Sequence, residues 1–92
     1  MTLTSTIETL LQAAFAPVKL DVRDDSARHK GHKGHAGSGG SHFIVHIVSA
    51  AFEGKTPLER HRAVYAALDA LMREQIHALK LTTQTPDEYN HR

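Results

Sequence analysis

Ninety-two residues, 40% hydrophobic and 23% charged, describe one small domain (1–92) with a thin core. A net charge of +1 is too weak to mark a nucleic-acid binder, and the lack of cysteine excludes disulfides, a thiolate nucleophile and a cysteine-based zinc site. No apolar run is long enough to span a bilayer and no basic leader precedes one, so the chain reads as cytoplasmic, with no membrane partner.

Leu3, Ile7, Leu10, Leu11, Ala14 and Phe15 recur at helical spacing and predict a first helix. Ser5 with Glu8 fits a capping box, Thr2 and Thr4 are earlier possible starts, and Pro17 ends the helix. Val18, Leu20 and Val22 then alternate with Lys19, Asp21 and Arg23, the period of a half-buried strand. Asp24-Asp25-Ser26 closes that strand with turn-forming side chains.

The next stretch, from His29 to His42, holds four of the eight histidines and five of the six glycines. Glycine at this density predicts a flexible loop over 27–41. His29, His32 and His35, three residues apart, can turn toward one point on such a loop, as a metal site would require. The plain alternative is a solvated linker. Gly31-His-Lys-Gly34 and Gly34-His-Ala-Gly37 also fit the G-x-x-G pattern that clamps nucleic-acid backbone. That loop normally joins two helices, whereas strands flank it here, so the match follows from glycine content.

Phe43 to Val48 is β-branched and aromatic, with Phe43, Val45 and Ile47 on one face and His46 on the solvent face. With no helix between them, the first two strands should pair antiparallel. Phe52-Glu-Gly54-Lys55 breaks the chain, and Thr56-Pro57-Leu58-Glu59 starts a helix with threonine as cap and glutamate completing the box. Leu58, His61, Val64, Tyr65, Leu68, Leu71 and Met72 form its expected buried stripe, with Arg60 and Arg62 on the wetter flanks. A third strand is expected over Ile76–Thr82, parallel to the second because a helix connects them. Thr85-Pro86-Asp87-Glu88 repeats the box and predicts one last helical turn before a frayed tail at 89–92. The order is α-β-β-α-β: an α+β fold with a three-stranded mixed sheet, two main helices on one face and a short C-terminal turn.

Few residues offer chemistry. His77 opens the third strand at the mouth between helix and sheet; the alternative is a histidine at the core rim, bonded to a backbone carbonyl. His61 shares the helix stripe and reads as packed and hydrogen-bonded. Arg60 and Arg62 could meet phosphate, as could Lys30 and Lys33 of the loop, though two arginines on a helix are commonly a solvated face with acidic neighbours such as Glu59 or Asp69. No phosphate-cradling loop and no serine–histidine–acid set can be placed, so the chain does not read as an enzyme.

Ser41-His42-Phe43, Ile47-Val48-Ser49, Phe52-x-Gly54, Arg60-His61-Arg62-x-Val64-Tyr65 and Ile76-His77-Ala78-Leu79, in that order and spacing, resemble the BolA family. The resemblance runs from the first helix through Thr85-Pro86 and implies a class II KH-like fold. It also implies a partnership with a monothiol glutaredoxin in assembly, transfer or sensing of iron–sulfur clusters. In the family's heterodimer the glutaredoxin and a glutathione give thiolates to a shared 2Fe-2S cluster. The BolA-like chain gives an invariant histidine, here His77, and a loop histidine or cysteine. Lacking cysteine, this chain resembles the histidine-type branch: counting from Asp25-Ser26 the loop ligand falls on His29, with His32 and His35 as alternates. No cluster is then expected on the isolated monomer, and His61 becomes structural or orients the site from behind. Some family members are linked to transcription, so the second implied role is DNA binding through Arg60, Arg62, Lys30 and Lys33. A partner-free zinc or nickel site on the three loop histidines and a weak homodimer are the remaining expected associations.

Overall fold

The computed structural model describes residues 2–25 and 42–91. The elements are α1 (Leu3–Phe15), β1 (Lys19–Asp24), β2 (His42–Val48), a short 3-10 turn (Ala50–Phe52), α2 (Pro57–Ala67), α3 (Asp69–Glu74), β3 (Ala78–Gln84) and α4 (Pro86–Asn90). The sheet order is β1-β2-β3, with β1 antiparallel and β3 parallel to β2. This is the α+β arrangement expected from the sequence.

Thr2, not Ser5, caps α1. Its Oγ1 accepts from the Ser5 N–H at 3.0 Å, and Ser5 Oγ accepts from the Thr2 N–H at 3.1 Å. The box thus closes one turn earlier than the Ser5–Glu8 pair suggests, with serine acting in glutamate's usual place. The helix stops at Ala16, which takes a left-handed φ of 45° directly before Pro17.

Sheet pairing follows the alternation. Leu20 faces Ile47 and Val22 faces Val45 across β1 and β2, while Phe43 faces Leu79 and Val45 faces Leu81 across β2 and β3. These side chains form the core with Ile7 and Leu11 of α1, Val64 of α2, Leu68 between the helices and Leu71 of α3. Val18, expected to be half-buried, lies just outside β1 and is 69% exposed. After the 3-10 turn, Lys55 N–H bonds Phe52 O at 3.1 Å, with Glu53 at φ −63°, ψ 138° and Gly54 at φ 78°. That is a type II turn, whose positive φ glycine accepts without strain.

The long helix differs from expectation in two ways. It breaks at Leu68, which adopts φ −105°, ψ 16° without any proline or glycine nearby. The break leaves Leu68, Leu71 and Ile76 all in the core. Its buried stripe is also rotated: Arg60 and Val64 are buried, whereas Leu58 and Tyr65 are 58% and 38% exposed. Arg60 therefore does not flank the stripe on a wetter side; it lies within it.

Candidate metal centre

Topology brings three chain segments to one end of the sheet. Because β2 and β3 are parallel, both begin there, and His42 is in register with Ala78. β1 runs the other way and finishes there, with Asp24 facing Phe43. Asp25 and His42, the described residues that bracket 26–41, therefore stand at the end where β3 begins. His77 immediately precedes β3, so the fold sets it beside the mouth of that segment.

His77 is exposed and its side chain makes no hydrogen bond to another described residue. The core-rim alternative, an imidazole bonded to a backbone carbonyl, does not hold. Imidazole can coordinate a metal through either ring nitrogen when neutral, and here it is open to solvent or to a partner. His61 is half-buried on α2. His29, His32 and His35, the expected loop ligand and its alternates, lie outside the described residues, as do Lys30 and Lys33. Among the described residues no group of three or more His, Asp or Glu side chains converges into a metal cage. A site at His77 would need further donors from 26–41, from a partner, or from both.

Sequence patterning alone does not single out His42. The signal that places it at this end is the parallel register, which cannot be read before the strands are paired.

The opposite end is tied shut. Arg60 Nη1 donates to Glu88 Oε1 at 2.7 Å, Nη2 to Oε2 at 3.1 Å and Nε to Lys55 O at 3.0 Å. Its side chain is only 9% exposed, so its guanidinium is not available to phosphate. The expectation that Arg60 contacts nucleic acid is corrected on that ground. Glu88 also closes the α4 capping box with Thr85, accepting its N–H at 3.0 Å. The Arg60 guanidinium, and next the Thr85 N–H, hold the Glu88 carboxyl below the usual carboxylate range against a smaller opposing effect of burial. Arg62 is exposed.

His46 points away from the core, as expected, but is half-covered. Its Nε2 lies 2.6 Å from Gln84 Oε1 and its ring 5.8 Å from that of Tyr89 on α4. Lys19 Nζ lies 5.8 Å from the same tyrosine ring. The last helix thus folds over part of the second sheet face.

The element order, the mixed sheet and the histidine at the head of its parallel strand define a small α+β module of class II KH-like type. The chain belongs to the BolA-like family, whose model, described as BolA-like protein, matches residues 11–88. BolA-like protein 1 of Homo sapiens is 40% identical over 83 residues, covering 90% of this chain and 58% of that protein. The chain thus spans little more than half the length of the mammalian relatives it matches. The DNA-binding transcriptional regulator BolA of Escherichia coli is 42% identical over 83 residues, with coverage of 90% and 75%. Among solved structures, the BolA domain of SufE1 from Arabidopsis thaliana superposes with a TM-score of 0.83 at 36% identity, covering 96% of both chains.

Proposed function

We propose that this chain is a non-enzymatic partner of a monothiol glutaredoxin and contributes histidine ligands to a 2Fe-2S cluster shared between them. The observation that carries the reading is His77: exposed, and set by the fold at the sheet end where Asp25 and His42 bracket the residues that include His29, His32 and His35. The donor chemistry fits. His77 and the histidines of a glycine-rich segment offer neutral nitrogen ligands, and a glutaredoxin with glutathione supplies the thiolates this cysteine-free chain lacks. Nitrogen in place of thiolate on one iron raises a cluster's reduction potential.

Within this reading His77 and one of His29, His32 and His35 bind, and half-buried His61 on α2 is structural. No helix among the described residues is long and apolar enough to cross a membrane. The lack of cysteine suits a reducing compartment, and on that ground the proposed location is the cytoplasm.

The test is anaerobic cluster reconstitution on a mixture with a monothiol glutaredoxin and glutathione, followed by visible circular dichroism. The wild-type chain should change the glutaredoxin's spectrum, His77→Ala should abolish the change, and one of His29→Ala, His32→Ala and His35→Ala should weaken it. An unchanged spectrum with wild type would end the reading.

DNA binding is the second reading, favoured by the DNA-binding role of the Escherichia coli relative. With Arg60 buried, it would rest on Arg62, Lys30 and Lys33. Binding through so few phosphates gives a shallow salt dependence: log affinity falls against log salt with a slope of roughly −0.9 per contact. A measured slope for Arg62→Ala equal to wild type would remove Arg62 from that interface.

A further inference from the structure

β1 ends the sheet order, so among the described residues no strand pairs with its outer side. Such an edge offers a row of main-chain donors and acceptors to another strand. Its outward face, opposite the core, presents Lys19, Asp21 and Arg23 in succession, alternating in sign. Asp21 and Arg23 already bond one another within the chain at 3.2 Å, yet remain 42% and 71% exposed. Val18, at the start of the same edge, is a large exposed apolar residue.

We infer that two copies of this chain associate through β1, edge to edge and antiparallel, to make a continuous six-stranded sheet about a twofold axis centred on Val22. The register follows from three constraints. First, core-facing residues of one copy must lie beside core-facing residues of the other, which excludes every one-residue slip. Second, the charges choose among the registers that remain. With Val22 opposite Val22, Asp21 of each copy faces Arg23 of the other, so two cross-strand ion pairs form on the outer face. With Asp21 at the centre, carboxylate would meet carboxylate and Lys19 would meet Arg23. With Arg23 at the centre, two guanidinium groups would collide. Third, the overlap must be long. A centre at Leu20 would also pair opposite charges, Lys19 with Asp21, but it would set Arg23 against Pro17, which has no N–H to give. The Val22 register alone joins attractive charges to an overlap that runs from Leu20 to Asp24, and it is self-complementary, as a twofold interface must be.

The second edge strand lacks this code. The outward face of β3 carries Ala78, Lys80, Thr82 and Gln84, a single cation with no anion to answer it. An antiparallel pair of β3 strands would gain no cross-strand ion pair. The inference therefore selects β1 over β3, and it leaves His77, at the head of the far edge strand, open on both copies. One short strand per copy is a small contact, at the weak end of specific interfaces, below about 1,200 Å² in total. The association should be weak, rapid and weakened by salt.

The test is sedimentation equilibrium from micromolar to millimolar protein, on wild type, Asp21→Arg and Arg23→Asp. Wild type should self-associate as concentration rises. Each single reversal places like charges opposite one another and should reduce association at least tenfold. An equimolar mixture of the two reversed chains should restore it, because one chain then presents only cations at positions 21 and 23 and the other only anions. Circular dichroism of each variant alone separates loss of association from loss of fold. Wild type that stays monomeric at millimolar concentration, reversals that change nothing, or a mixture that associates no better than its components would each overturn the proposal.

Discussion

The two ends of the sheet are built on opposite principles. At the end where β2 and β3 finish, the buried polar groups are engaged. Ser49, wholly buried, donates from Oγ to Phe15 O at 2.7 Å and accepts from the Ala51 N–H at 3.0 Å. Its own N–H bonds Gln84 O at 3.0 Å, and Phe15 packs on Phe52 at 5.1 Å between ring centroids. Arg60 and Glu88 then tie α2 to α4. At the end where β2 and β3 begin stands an exposed His77, near the described residues Asp25 and His42 that bracket 26–41. Among the described residues, side-chain bonds join α1, α2 and α4 to their neighbours at the first end, and the second presents an exposed His77. Sites that must admit a partner are drawn from the less stable parts of a fold.

Substitutions can break this contrast. Phe52, fully buried, belongs to the tied end, and Phe52→Ala should cost about 3–5 kcal/mol, read from urea unfolding. Ser49→Ala leaves a buried carbonyl and an N–H without their partner and should cost about 1–3 kcal/mol by the same measurement. Arg60→Met, which keeps the stem but removes the guanidinium, should lower the urea midpoint by less, because Glu88 regains water at its half-exposed position. None of these changes should alter the glutaredoxin spectrum while the chain remains folded.

Acid should loosen the same end. The folded-state carboxyl of Glu88 is held below its ordinary value, near 4.5. The stability it contributes is full above that ordinary value and is lost as pH falls through the lower folded-state value. Glu88→Gln should therefore flatten the acid limb of a stability–pH profile, with most of its effect removed once wild-type Glu88 is protonated. An unchanged acid limb would mean that the Arg60–Glu88 tie adds nothing to folding.

The smallest stability effect belongs to the open end. His77→Ala should change the unfolding free energy by no more than about 0.5 kcal/mol, as expected for an exposed residue without partners. A larger loss would show that His77 holds structure together and would erase the difference between the two ends.

Much of this is legible in the chain because it is local. The Thr56–Glu59 and Thr85–Glu88 boxes follow from residues three apart, and both close as their sequence suggests. The alternation in β1 and β2 and the helix between β2 and β3 set pairing and direction. Arg60 misleads because hydrophobic periodicity ranks arginine as exposed. Only its partner 28 residues later, together with Lys55 O, makes burial tolerable. The break at Leu68 carries no proline or glycine to announce it. In α1, Ser5 could serve as a cap for Glu8 or as the third residue of a helix capped by Thr2, and the sequence favours neither. The placing of His77 is legible in kind, as a histidine at the head of a strand, but its exposure and its closeness to His42 require the parallel register.

The central claim, that His77 binds the shared cluster, is tested most directly by nitrogen hyperfine spectroscopy on the reduced complex with glutaredoxin and glutathione. The account predicts imidazole nitrogen coupled to the cluster in wild type and the loss of one such coupling in His77→Ala. A spectrum without nitrogen coupling, or one that His77→Ala leaves intact, would contradict it.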